Sequence, residues 1–92
     1  MDNNIQVWRD LSVIGHPKHI KQIVSHPELA FRQDLARNGS DEIRDHLIKD
    51  LSHHVRYYVA LLGTRNQANQ LIHDEVRSVR DAAWSRLFWA TS

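Results

Sequence analysis

The stretch Asp50–Gly63, DLSHHVRYYVALLG, decides how this chain is read, because its pattern returns 24 residues upstream and 24 residues downstream. Val55 stands in one column with Val7, Phe31 and Val79, and Val59 shares the next with Leu11, Leu35 and Ala83. Two apolar columns four residues apart mark the buried stripe of a helix. Arg56 follows its valine as Arg32 and Arg80 follow theirs, with Trp8 at the equivalent place in the first copy. Asp50 and Asp74 match His26, and the closing Gly63 matches Gly39 and Gly15. Outside the quoted stretch, Ile23-Val24, Leu47-Ile48 and Leu71-Ile72 keep the same 24-residue spacing. Several columns in one register make the sequence a short tandem array.

A unit of 24 residues accommodates two helices of about ten residues with tight turns between them. Each glycine falls where the first helix of its unit ends, a position after the C-cap suited to a left-handed backbone. Ser40 and Thr64 are suited to cap the second helix, and Pro17 takes a first helical position, where its missing N–H costs nothing. Asp50 and Asp74 are suited to cap the first helix of the next unit, where the earlier copy has His26 before Pro27. The spacing predicts seven helices, near 4–14, 17–25, 27–38, 41–49, 51–62, 65–73 and 75–89. No segment alternates with period two, so strands are not expected. The expected fold is an all-α, short α-solenoid forming a single domain over residues 1–92. Its units are a partial 1–14, then 15–38, 39–62 and 63–86, with residues 87–92 as a C-terminal cap.

Composition narrows the function classes. Hydrophobic residues make up 41% and charged residues 25%, values of a globular chain, neither disordered nor membrane-embedded. The apolar run Val59–Leu62 is far too short to span a bilayer, and Met1–Asn4 lacks the basic and apolar regions of a secretory signal. With no cysteine there is neither a disulfide framework nor a thiolate metal site, which fits a cytoplasmic protein. The formal net charge is +1, small for a protein that works by neutralising phosphates.

The unit resembles the leucine-rich repeat variant family, within the wider group of HEAT-like helical solenoids. The resemblance is carried by His26-Pro27-Glu28-Leu29-Ala30-Phe31-Arg32 with Leu35-Ala36-Arg37-Asn38-Gly39-Ser40. Asp50 with Val55-Arg56 and Val59-Ala60, and Asp74 with Val79-Arg80, continue it. In that family an acidic residue precedes a Val-Arg pair, and a helix of small residues then ends near Asn or Gly. The resemblance covers roughly residues 15–86 and implies a right-handed solenoid that acts as a scaffold for binding macromolecules. Some members carry an iron–sulfur cluster on a cysteine-rich segment, which a cysteine-free chain cannot hold.

The aspartates and arginines suit a ladder in which each Asp caps a helix and pairs with an Arg of its own or a neighbouring unit. Arg32, Arg56 and Arg80 alternatively form a stripe facing an acidic partner. None of the seven histidines has another four residues away, so no helix turn presents two imidazoles to a metal. A phosphate-cradling loop, a His-Glu-x-x-His motif and a nucleophile elbow are all missing. No catalytic residue, cofactor or metal is therefore expected, and the protein is expected to be non-enzymatic.

Trp84 takes the column of Ala36 and Ala60, where helices must approach closely. With Leu87, Phe88 and Trp89 it forms either a cap over the last unit or a contact with another chain, a homodimer among the options. Tyr57 shares its column with Gln33 and Asp81, which places it facing solvent beside Arg56. Tyrosine and arginine are enriched where interfaces carry their binding energy. Arg37, Arg56, Tyr57, Arg80 and Trp84 are accordingly the expected contact residues for a protein partner. An inhibitor of phage or mobile-element type, occupying the surface of a host protein, suits a domain of this size. The alternative is nucleic-acid binding through the nine arginines, which outnumber the lysines three to one.

Overall fold

The computed structural model describes residues 17–88. Among these there are six helices and no strand: α1 (Pro17–Val24), α2 (Leu29–Asn38), α3 (Asp41–Leu47), α4 (His53–Leu62), α5 (Arg65–Leu71) and α6 (Arg77–Phe88). The helix expected at 4–14, and Trp89, lie outside the described residues. Helices α2, α4 and α6 pack in succession as one row, while α1 packs on α3, and α5 packs on α4 and α6. The molecule measures 40 × 24 × 19 Å.

The columns read from the sequence are the core. Phe31, Val55 and Val79 are fully buried, as are Val59 and Ala83, with Leu35 at 1% exposure. Ile20, Ile23, Ile43, Leu47 and Leu71 supply the other layer. Burying each large aliphatic or aromatic side chain contributes about 1.5–3 kcal/mol, so the stripe accounts for much of the drive to fold. Ala36 and Ala60 are fully buried on the first row, where a small side chain lets helices pack closely.

Helix boundaries depart from expectation in a regular way. The first-row helices begin at Leu29, His53 and Arg77, two residues later than expected. Asp50 and Asp74 do not cap those helices. Asp50 Oδ1 accepts the Ser52 N–H at 2.9 Å, and Asp74 Oδ1 accepts the Val76 N–H at 2.9 Å. A side chain that bonds the N–H two residues on closes a turn ahead of the helix. Capping of α4 then falls to Ser52, whose Oγ accepts the His54 N–H. Histidine substitutes in the first copy: His26 Nδ1 accepts the Glu28 N–H at 3.1 Å. Pro27 consequently sits in that turn and is not a helix start, whereas Pro17 does open α1. The second-row helices end at Val24, Leu47 and Leu71, slightly short of expectation.

Ser40 and Thr64 behave as the sequence implies. Ser40 Oγ accepts from Ile43 N–H, and Thr64 Oγ1 accepts from Gln67 N–H while the Gln67 side chain returns a bond to Thr64 N–H, a complete capping box. The glycines do not behave as expected. Gly39 (φ −79°) and Gly63 (φ −77°) are extended, and the left-handed backbone is absent at both. Glycine is needed there for space. Each donates its N–H to the carbonyl four residues back at 2.8 Å. A Cβ would come within 2.5 Å of that same carbonyl, Leu35 O or Val59 O.

Candidate interaction surface

The arginine column begins as local geometry and ends as a bond between successive turns. Arg32 and Arg56 sit one residue after a core position, which sends the side chain along the start of the helix toward the preceding turn. Arg32 Nη1 donates to His26 O at 2.7 Å, and Arg56 Nη1 donates to Asp50 O at 2.6 Å. The rest of each guanidinium grips the aspartate of the following turn. Arg32 Nε lies 2.9 Å from Asp50 Oδ2, and Arg56 Nε lies 2.8 Å from Asp74 Oδ2, with Nη2 on the other carboxylate oxygen in both cases. The Arg56–Asp74 pair is 11% and 8% exposed, so its bidentate geometry operates away from water.

Burial by itself raises the Asp74 carboxyl. The Arg56 hydrogen bond, the Val76 N–H and the charges of Arg56 and Arg80 outweigh it and hold the carboxyl below its ordinary value of 3.8. The ladder is thus electrostatically satisfied, and Arg56 is withdrawn from any partner: its residue is 9% exposed and each guanidinium nitrogen already donates. Arg56 therefore does not serve as the exposed contact residue expected from the sequence.

The other expected contact residues divide. Arg37 is exposed, with its guanidinium 5.5 Å from the centre of the Tyr58 ring, a cation–π contact from α2 to α4. Tyr57 is half-buried against the core, not fully solvent-facing, and its ring lies edge-on to Tyr58 with centres 5.4 Å apart. Arg80 is half-exposed and donates to Asp74 O at 2.7 Å. Trp84 is 46% exposed and stacks on Phe88, itself 59% exposed, with ring centres 4.7 Å apart. Leu87 packs inward against the core and supports the end of α6.

Other residues matter that the sequence reading passed over. Gln67 is 1% exposed, and its side-chain amide reaches across to donate to Asp41 O at 2.8 Å and Asp45 Oδ1 at 2.7 Å, tying α5 to α3. The Thr64-x-x-Gln67 spacing announces the capping box; nothing in it announces the crossing. Arg44 donates to Ala36 O and Arg37 O, and Arg86 donates to Gly63 O, so both satisfy carbonyls where first-row helices end. Leu62 was not singled out either; it is exposed on α4 one turn beyond Tyr58, whose ring Arg37 covers.

Among the described residues, the large apolar side chains that remain exposed are Leu29, Leu51, Leu62, Trp84 and Phe88. Leu29 belongs to α2, Leu62 to α4, and Trp84 and Phe88 to α6, all first-row helices, while Leu51 protrudes from the turn before α4. On the turn side of the ladder, Leu51 and Lys49 separate two open clefts. One, of about 410 Å³, is lined by His26, Arg32, His46 and Asp50; the other, of about 380 Å³, by Arg56, Asp74 and Glu75. Among the described residues no three His, Cys, Asp or Glu side chains cluster as metal ligands would, and no helix is long and apolar enough to cross a membrane. No family model matches the chain, and neither a curated protein nor a solved structure matches it.

Proposed function

We propose that this protein is a non-enzymatic binding module, a short solenoid of the leucine-rich repeat variant, HEAT-like kind, that engages another protein through its first helical row. The observation that carries the reading is the distribution of exposed apolar side chains. Leu29, Leu62, Trp84 and Phe88 all belong to α2, α4 and α6, and among the described residues none belongs to α1, α3 or α5. Exposed large apolar side chains confined to one set of helices suit an association surface. Arg37 over Tyr58, with Tyr57 beside it, adds the residue types that anchor interfaces. Arg37, Tyr57, Arg80 and Trp84 remain the proposed contact residues, and Tyr58, Leu62 and Phe88 join them. A small inhibitor that covers a host protein's surface would work in this way.

Nucleic acid is the less favoured partner. Arg32, Arg44, Arg56 and Arg86 all donate to acceptors within the molecule, which removes them from phosphate contact. The experiment is a pull-down from native lysate with the purified protein as bait, with and without nuclease, repeated with Tyr58→Ala and Trp84→Ala variants. Protein binding predicts a nuclease-resistant partner whose capture falls in the variants while their helical content stays unchanged. Loss of all captured material on nuclease treatment would instead establish nucleic acid, whose retention would also fall steeply with salt.

A further inference from the structure

Arg32 and Arg56 use their guanidinium groups identically. Nη1 goes to the carbonyl six residues back, and the Nε/Nη2 fork goes to the aspartate 18 residues on. Arg80 makes the first half of this pattern, with Nη1 on Asp74 O at 2.7 Å. The second half is open. Among the described residues neither Nε nor Nη2 of Arg80 has a hydrogen-bond partner. Arg80 is intermediate in burial, as Arg32 is, while Arg56 is buried. One turn further along α6, Trp84 is 46% exposed in the column that is fully buried at Ala36 and Ala60. Its stack on Phe88, with ring planes 18° apart, makes a flat apolar slab one to two turns beyond Arg80 on α6.

We infer that the face of α6 carrying Arg80, Trp84 and Phe88 docks a protein segment in which an aspartate precedes a helix. The partner carboxylate enters the Arg80 Nε/Nη2 fork as Asp50 and Asp74 enter those of Arg32 and Arg56, and the apolar side chains of its helix lie on Trp84 and Phe88. The inference rests on the protein-binding reading and adds the place and the chemistry of the anchor. Charge and shape both favour an aspartate-led helix, because two internal copies of that arrangement already fill the equivalent fork. The apolar slab beyond Arg80 suits a helix face better than a phosphate backbone, which offers no apolar surface there.

The test uses a synthetic peptide copying residues 47–62 of this chain, which contains the Asp50 turn and the α4 sequence and no tryptophan. It is titrated to millimolar concentration into the full chain while the Arg80 Nε–H and Trp84 indole signals are followed by NMR. Both signals are expected to shift and saturate. Affinity is expected to fall roughly tenfold when the peptide carries Asn at the Asp50 position, as loss of a charge-assisted bond implies. A comparable loss is expected for the chain variant Phe88→Ala, which leaves the Arg80–Asp74 bond in place. No saturable shift at Arg80, or equal affinity for the Asn peptide, would overturn the inference. Tighter binding of a single-stranded oligonucleotide at the same signals would overturn it too. Saturable shifts at Arg37 and Tyr58 without any at Arg80 would overturn the α6 site while leaving the protein-binding reading intact.

Discussion

At the scale of single residues, Asp74 is the most exacting position in the described structure. Its carboxylate is 8% exposed and receives Arg56 through two guanidinium nitrogens and Val76 through its N–H. Removing the charge while keeping the shape, as Asp74→Asn does, leaves a buried guanidinium poorly matched. We expect a loss of about 2–3 kcal/mol in urea denaturation at neutral pH. The pH dependence has a definite sign. The folded carboxyl lies below its ordinary value, so its contribution is complete above the unfolded pKa and fades as pH falls through the folded value. Stability is therefore expected to decline from about pH 4 downward, with a shallower decline in Asp74→Asn than in the unmodified chain. Equal slopes would show that other carboxylates dominate acid unfolding.

At the scale of elements, the turns rather than the helices carry the specificity. Gly63 closes α4 in an extended conformation, and an added Cβ would meet the Val59 carbonyl and the Gln67 side chain. Moving Gln67 aside would break the α5 capping box and the bonds to Asp41 and Asp45 together. Gly63→Ala is expected to cost about 1–3 kcal/mol by thermal or urea unfolding, through close contact and not through a forbidden φ. Gln67→Ala removes the crossing itself and is expected to lie in the same range, with hydrogen exchange rising in α5 before α4. Uniform exchange across both helices would instead show that Gln67 does not hold α5 locally.

At the scale of the whole molecule, burial separates residues that make the fold from those that face outward. Phe31 is fully buried, and Phe31→Ala is expected to cost about 3–5 kcal/mol, enough to leave a domain of this size largely unfolded. Phe88 is 59% exposed, and Phe88→Ser is expected to change stability by less than about 1 kcal/mol while reducing partner capture. A comparable collapse in both variants would assign Phe88 to the core and remove it from the proposed interaction surface.

The division between sequence and structure follows from the range of each interaction. Periodicity and capping act over a few residues, so the all-helical class, the buried columns Phe31-Val55-Val79 and Leu35-Val59-Ala83, and the caps at Ser40 and Thr64 were legible in the chain itself. The Asp–Arg ladder was legible as chemistry, because two charge types share one period. Its consequence for exposure was not: whether Arg56 faced solvent or a buried carboxylate depended on how closely the helices pack, and packing placed it at 9% exposure. The late helix starts had the same origin, since only the folded turn shows Asp50 and Asp74 spending an oxygen on the N–H two residues ahead. Tertiary structure alone decided which row keeps its apolar side chains exposed and left the Arg80 fork open. Both depend on contacts between segments distant in the chain, which no local pattern encodes.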